Sequence, residues 1–359
     1  MDISVFLSHM RLKKPEEYTQ DLYQEKLAEA ILADKLGFDC IWVPEHHLIQ
    51  FMQAPNGLVL AIHYGNHVSC PIGQMVNLLL YRHPLITAGE IALADALLRG
   101  RLQLGVGRGA YDYEYRRLGI TWDVAEAKFL ECLDVLEKVW RSPDRGIAHD
   151  GQFYKFDTTY VSPRPVSKPH PPVWYAAMTP PVIEFAAKRG YHVATWPFLR
   201  PMSFVEDIVA KFHAVRGQLG RARGEQRLAV MRPVYVAATE AEARKAVPTM
   251  LANHRLSQRI RAAGVEADER GYVAPDPVEG EPSLDQAFEV MIAGNPEQCM
   301  EKLNRYAELG VDQFIAWFDF GMEHQRNLET MQHFAEAVMV PFRREHGLSD
   351  RATHRTAAA

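Results

Sequence analysis

Eight short apolar runs rich in β-branched residues recur along this chain, separated by longer stretches whose apolar positions follow a helical period. Parallel strands need a long return path between them, and a helix is the usual one, so this alternation is the pattern of βα units. The strand candidates are DISVFL (2–7), CIWVP (40–44), QMVNLLL (74–80), RLQLGVG (101–107), PVWYAAM (172–178), VATWPF (193–198), LAVMRPVYVA (228–237) and DQFIAWF (312–318). Helices are expected over Glu17 to Leu36, closed by Gly37, over Pro84 to Leu98, followed by Gly100, and over Trp122 to Trp140. Eight βα units argue for an α/β (β/α)8 TIM barrel over a six-stranded doubly wound sheet.

Two stretches interrupt the alternation. Residues 141–170, near the fifth strand, are punctuated by Pro, Asp and Gly, and YVSPRPVSKPHPP is too proline-rich for a helix or a central strand. Residues 250–290, including GYVAPDPVEGEPSLD, read as an irregular insertion before the eighth strand. One domain is therefore expected over 1–345, with a disordered tail over 346–359. The chain's 359 residues suffice for one large barrel with a sizeable core. Its net charge of -5 supplies no field for gathering nucleic acid or an anionic membrane. No apolar window approaches a membrane span, and MDISVFLSHMRLKKPEE lacks the long apolar stretch of a secretory leader, so the expected location is the cytoplasm. Cys40, Cys70, Cys132 and Cys299 lack C-x-x-C spacing, which suggests reduced, buried thiols rather than a disulfide framework or a zinc site.

Barrel chemistry gathers at the C-terminal ends of the strands, where this sequence places PEHHL, NLLLYRHP, GRGAYDYEY and MTPP. Glu45, His46 and His47 combine two groups that titrate near neutrality with a carboxylate able to orient an imidazole. Adjacent side chains in extended backbone point to opposite sides, so one histidine is expected to face the mouth. A metal site is not expected: there is no H-E-x-x-H, and His63 and His67, four residues apart, flank Gly65 without a matching carboxylate.

Residues 105–110 fit G-x-G-x-x-A, the dinucleotide fingerprint, but that turn normally follows a first strand and here three strand–helix units precede it. No strand ending in an acidic residue follows about 20 positions later, so the match is read as a glycine loop and not a Rossmann turn. Its amides are unobstructed, and Arg108 adds a donor fork suited to phosphate. Thr179 is placed to cap the next helix, whose first turn holds Pro180 and Pro181, and a helix N-terminus favours anions. Two phosphate-capable features after neighbouring strands suggest a phosphorylated cofactor. Trp42, Trp174, Tyr175, Trp196, Trp317 and Phe318 are expected in the core or lining the mouth, with Trp196 able to flank a planar ring.

The blocks GFDCIWVPEHHL, LLLYRHPLITAGEIALADALLRGRLQLGVGRGAY, PPVWYAAM with its following helix, and AGNPEQCMEKLNRYAELGVDQFIAWF resemble, in this order, the bacterial luciferase-like flavin monooxygenases over residues 1–342. The resemblance implies a barrel that binds FMN at its C-terminal mouth, usually as a homodimer, with reduced FMN arriving from a separate NAD(P)H:flavin reductase. Oxygen then adds to the flavin, and the C4a-peroxyflavin oxidises a small or medium apolar substrate by hydroxylation or Baeyer–Villiger insertion. His46 matches the family's catalytic histidine, within the triplet completed by Glu45 and His47. Met75–Val76 matches the place of a non-proline cis peptide beneath the flavin ring, and Asn77 a polar position beside it. Arg108, Gly109, Ala110 and Tyr111 match the loop that approaches the phosphate and ring edge. Met178 and Thr179 match the phosphate site after the fifth strand, and Trp196 a tryptophan near the ring.

Two positions depart from luciferase: its reactive cysteine is Gly107 here and its acidic residue after the fifth strand is Met178, so light emission is not implied. Deazaflavin-dependent dehydrogenases or reductases of the same fold, and non-catalytic flavin-binding barrels, remain as alternatives. The insertion at 250–290 is suited to act as a lid.

Overall fold

A computed structural model of the protein describes residues 1–13 and 21–349. The expected helix start at Glu17, and the expected disordered tail from residue 350 onward, lie outside the described residues. The strands are β1 (Asp2–Phe6), β2 (Ile41–Val43), β3 (Ile72–Leu78), β4 (Leu102–Gly107), β5 (Ile147–Asp150), β6 (Lys155–Thr159), β7 (Val173–Ala176), β8 (His192–Thr195), β9 (Leu228–Val236), β10 (Ile292–Gly294) and β11 (Gln313–Trp317). All but β5 and β6 run in the order β10-β9-β11-β1-β2-β3-β4-β7-β8, and β8 also pairs with β9. That last pairing closes eight parallel strands into a TIM barrel, each one coinciding with an expected run. The short β10 is appended in parallel to Val234–Val236 of β9.

Alternation along each strand separates two apolar layers. Ile3, Val5, Ile41, Val43, Leu104, Val106, Val193, Val230, Phe314 and Ala316 face outward against the helices. Phe6, Trp42, Trp174, Ala229, Met231, Ile315 and Trp317 fill the interior and its upper end. The interior holds large indoles because facing positions are glycines. A Cβ on Gly73 would lie 2.6 Å from the Trp42 ring, and Gly105 stands in register with Trp174. The Trp42 and Trp174 rings meet edge to face at 5.6 Å, and Trp174 Nε1 donates to Gln103 Oε1 at 2.9 Å.

The helices follow their local signals. Leu22–Leu36 is capped by the Asp21 carboxylate, which accepts from the N–H groups of Tyr23 and Gln24, and ends where Gly37 turns to φ 87. Pro84–Leu97 and Trp122–Arg141 lie within one residue of expectation. All four cysteines are buried free thiols. Among the described residues no helix is long and apolar enough to cross a membrane.

Both interruptions are more ordered than their composition suggested. Within 141–170, β5 and β6 form an antiparallel hairpin, and the Glu131 carboxylate, on the Trp122–Arg141 helix, accepts from the N–H groups of Gln152, Phe153 and Tyr154 at its turn. The helix Val247–Arg261 enters the second interruption, burying Met250, Leu251, Leu256 and Ile260, and the helix Leu284–Val290 closes it behind a Ser283–Gln286 capping box. Only 262–283 is irregular. Proline and glycine are concentrated there, and their density concealed the helices on either side.

Candidate active site

The strand-end segments converge at one mouth of the barrel, around a buried carboxylate. Glu114, on the short helix Asp112–Arg117 after β4, is fully buried. Its Oε1 lies 3.0 Å from His46 Nδ1 and accepts the His47 N–H at 2.8 Å, while Oε2 accepts the Tyr81 hydroxyl at 2.7 Å. Burial alone would push this carboxyl up, but the adjacent His46 imidazole and these hydrogen bonds outweigh it and hold Glu114 below the usual carboxylate range. A carboxylate at Nδ1 keeps the proton there and leaves Nε2 as the basic nitrogen of His46. The imidazole stacks on Tyr111 with ring centroids 4.7 Å apart. Burial raises the Tyr111 phenol to about 12, and its hydroxyl lies 3.2 Å from Ser257 Oγ.

The orienting role expected of Glu45 therefore does not extend to His46. Glu45 is held elsewhere: Arg82 Nη1 donates to its Oε1 at 2.6 Å, His47 Nε2 lies 2.9 Å from the same oxygen, and the Gln74 amide donates to Oε2. Adjacent histidines diverge, as extended backbone requires, so one carboxylate serves each imidazole. Sequence reasoning missed Glu114, Tyr81, Arg82 and Gln74 as members of this network. All four lie in or beside stretches already singled out for chemistry, but only the six-residue helix after β4 brings Glu114 back over His46.

The Met75–Val76 peptide is cis, and the β3–β4 register shifts between Gln74 and Asn77. Asn77 is buried; its Nδ2 donates to Gln74 Oε1 at 3.1 Å, and its Oδ1 has no partner among the described residues. Gly107 sits against Val76, where a Cβ would come within 2.6 Å of Cγ2. Gly109 has φ 91, and its carbonyl and that of Arg108 both accept from the Tyr115 hydroxyl. Ala110 lies half-buried between Gly109 and Tyr111. The Arg108 guanidinium is bound to Glu126 at 2.7 Å and lies over the Trp122 ring.

After β7, the Met178 sulfur accepts from the Thr195 hydroxyl at 3.3 Å and the Trp196 N–H at 3.2 Å, which ties the fifth and sixth barrel loops together. Thr179 occupies the N-cap of the helix Pro180–Arg189, as expected, but makes no side-chain capping bond. Pro180 and Pro181 have no N–H, so this helix end offers fewer donors than its position suggested. Trp196 stacks on Phe198 at 4.3 Å and meets Trp317 edge-on at 5.2 Å, and its buried Nε1 has no acceptor. A separate cavity of about 940 Å³, lined by Arg200, His254, Asp285, Phe288 and Lys302, contains none of the expected site residues.

The closed barrel agrees with the family comparison. A model of the luciferase-like monooxygenases matches residues 1–313. The chain belongs to this family. The oxygenase component of the flavin-dependent trigonelline monooxygenase of Acinetobacter baylyi is 27% identical over 352 residues, covering 95% of this chain and 96% of that one. Among solved structures, monooxygenase RslO1 of Streptomyces bottropensis superposes with a TM-score of 0.80 at 23% identity, covering 95% of this chain and all of that one. The FMN-bound oxygenating constituent of 3,6-diketocamphane monooxygenase from Pseudomonas putida gives 0.72 at 18% identity, with 94% and 98% covered. An F420-dependent secondary alcohol dehydrogenase gives 0.74 at 18%, with 94% and 98% covered. The luciferase-like barrel thus accommodates more than one flavin-type cofactor, and this family member is an oxidoreductase of the flavin-dependent monooxygenase group.

Proposed function

We propose that the protein is the oxygenase component of a two-component monooxygenase. It takes reduced FMN from a separate NAD(P)H:flavin reductase and places one atom of O2 into a small or medium apolar molecule, by hydroxylation or Baeyer–Villiger insertion. The observation that carries this reading is the imidazole–carboxylate pair of His46 and Glu114 at a barrel mouth whose other strand ends supply an unpartnered amide oxygen, Asn77 Oδ1, and the stacked rings of Trp196 and Phe198. Those features suit a flat, polar-edged ring better than a metal or a nucleic acid.

Reduced FMN would supply the two electrons that, with two protons, convert the second oxygen atom to water. Asn77 and the Met75–Val76 segment would meet the ring, and Gly107 and Gly109 would leave room for it. Arg108, Ala110, Tyr111, Met178 and Thr179 would border the phosphate and ring edge, with Thr179 free of a capping bond to donate. Trp196 would flank the ring through the face turned away from Phe198, and the ring would offer an acceptor to its Nε1. His46 would hold or move a proton at Nε2, while Glu45 and His47 keep the adjoining loop in place. The aromatic lining would exclude water.

Homodimerisation in the cytoplasm belongs to the same reading. The helices Gly57–Gly65 and Pro84–Leu97 expose Val59, Ile86, Leu93 and Leu97, each by about half or more of its surface, apolar area that a second copy of the chain would cover. The four free thiols fit a reducing compartment.

Anaerobic titration with reduced FMN and with reduced deazaflavin, followed by 18O2 turnover across ketones, terpenes, sulfides and aromatic heterocycles, tests the function. Preference for FMN with one labelled oxygen in the product supports it. Tight binding of the deazaflavin alone, with hydride transfer to substrate and no oxygen uptake, would replace it with the dehydrogenase reading, which the F420-dependent neighbour's shared fold keeps in view.

A further inference from the structure

The helix Asp112–Arg117 faces two ways. Inward, Glu114 grips His46, the His47 N–H and Tyr81. Outward, the same six residues and their neighbour Tyr111 are clasped by the insertion. Tyr111 reaches Ser257, and Asp112 Oδ2 accepts the Gly264 N–H at 3.2 Å. Arg116 donates to Glu266 Oε1 at 2.6 Å and to the Val265 carbonyl at 2.8 Å, and Arg117 donates to Glu266 Oε2 at 2.5 Å. The loop after His46 joins the same segment, since the Gln50 N–H donates to the Gly271 carbonyl at 2.8 Å. Both members of the His46–Glu114 pair therefore hang from chain that is bonded to residues 257–271.

We propose that Glu114 is a positioning residue for His46, and that Glu266, by clasping Arg116 and Arg117, makes this positioning depend on the insertion being seated. The insertion is then more than a cover. When it lifts, the short helix loses its outer anchor and the carboxylate drifts from Nδ1; when it seats, the imidazole is fixed with Nε2 toward the mouth. Acid–base readiness is thereby coupled to closure of the site, a coupling available because a helix of fewer than two turns has little rigidity of its own. The inference rests on His46 being the proton-handling group.

The test separates the two readings by following His46 itself. Imidazole 15N and 13C resonances are titrated in the wild type, Glu114→Gln, Glu114→Asp and Glu266→Ala, and steady-state turnover is measured on the same proteins. The charged and titratable groups around His46 are Glu45 and His47 from its own segment, Glu114 and Tyr111 from the β4 side, and Tyr81 and Arg82 from the end of β3. All remain in Glu266→Ala, and Glu266 is exposed, so that variant keeps the fold. Removing the carboxylate in Glu114→Gln is expected to shift His46 toward the other tautomer, read from its Nδ1 and Nε2 resonances. It should also lower kcat at least tenfold while leaving the reduced-flavin Kd within about threefold. Glu114→Asp, one methylene short, should recover part of the Nδ1–H tautomer, and Glu266→Ala should shift the tautomer balance in the same direction as Glu114→Gln by a smaller amount with a matching loss of kcat. Unchanged His46 tautomer populations in Glu114→Gln overturn the positioning role, and unchanged populations in Glu266→Ala overturn the coupling. If the resonances respond as expected but no oxygenation is found with any substrate, the positioning stands and the monooxygenase reading falls.

Discussion

Replacing Gly105, Gly107 and Gly109 singly by alanine should separate three reasons for glycine within five residues. At Gly105 an added Cβ would lie 2.1 Å from the Gln74 carbonyl oxygen, more than an ångström inside an ordinary C···O contact, and both partners are backbone of paired strands. Relief requires β3 and β4 to separate, so the cost should exceed the usual overpacking range of about 1–3 kcal/mol. At Gly107 the obstacle is Val76 Cγ2 at 2.6 Å, a side chain that can yield by about an ångström at about 1–3 kcal/mol, but only by disturbing the Met75–Val76 segment. At Gly109 the space is nearly sufficient, with the nearest atoms at 3.3 Å, and the cost is conformational: φ 91 disfavours any Cβ by about 1–2 kcal/mol. Urea unfolding followed by tryptophan fluorescence should rank the losses Gly105, then Gly107, then Gly109. Anaerobic titration should find the greatest loss of flavin affinity among folded variants at Gly107. A Gly105→Ala protein within about 1 kcal/mol of the wild type would refute the close approach of β3 and β4, and unaltered flavin binding by Gly107→Ala would remove the loop from the cofactor site.

Three further outcomes are expected. Burial holds His9 at about 3 and His192 at about 4, both below an ordinary 6.5, so each is neutral when folded and takes up a proton on unfolding. Their contribution is fully present above pH 6.5 and is lost as pH falls, at about 1.4 kcal/mol per pH unit for each; urea midpoints measured from pH 7 to 4 should fall less steeply in His192→Asn. Asn77→Ala removes the buried, unpartnered Oδ1 and should weaken reduced-flavin binding about tenfold in equilibrium titration, while the lost Nδ2 bond to Gln74 Oε1 should lower stability by about 1–3 kcal/mol in urea unfolding. Leu93→Glu combined with Leu97→Glu should yield a monomer by sedimentation velocity, whereas an unchanged sedimentation coefficient would move any dimer contact elsewhere on the surface.

The barrel was legible because each of its eight strands carries its own local signature and because barrel closure follows from their number and parallel sense. The site was legible to the level of segments: EHH, the β3 end, the glycine loop and MTPP all reach the same mouth. Partnership was not legible. Which carboxylate meets His46 depends on how a six-residue helix folds back over a neighbouring strand end, and nothing in the spacing of Glu45, 1 residue away, against Glu114, 68 residues away, reveals it. Thr179 shows the converse, since the sequence placed it at the helix start but its side chain makes no capping bond: Pro181 removes the N–H at the second helical position, and the one at Val182 is not used. The insertion was misread in its ordered parts because one Pro- and Gly-rich stretch outweighed the amphipathic helix before it.

One residue of β9 carries a consequence for the history of such proteins. Pro233 sits mid-strand, where a missing N–H would ordinarily break a ladder, yet it falls between the last pairing with β8 at Val230 and the first with β10 at Val234. The strand passes there from the closed wall to an outlying spur, at a residue from which neither neighbour on that edge demands a bond. The irregular stretch 262–283 beyond the spur can be lengthened, shortened or exchanged without shifting the register of the wall, since longer loops cost little to close, whereas the helix Pro296–Glu308 buries Cys299, Leu303 and Tyr306 in the barrel core and belongs to the wall. Descendants could thus acquire new selectivity by swapping that module while inheriting the histidine's setting almost unchanged, provided the newcomer brings its own grip for Arg116 and Arg117.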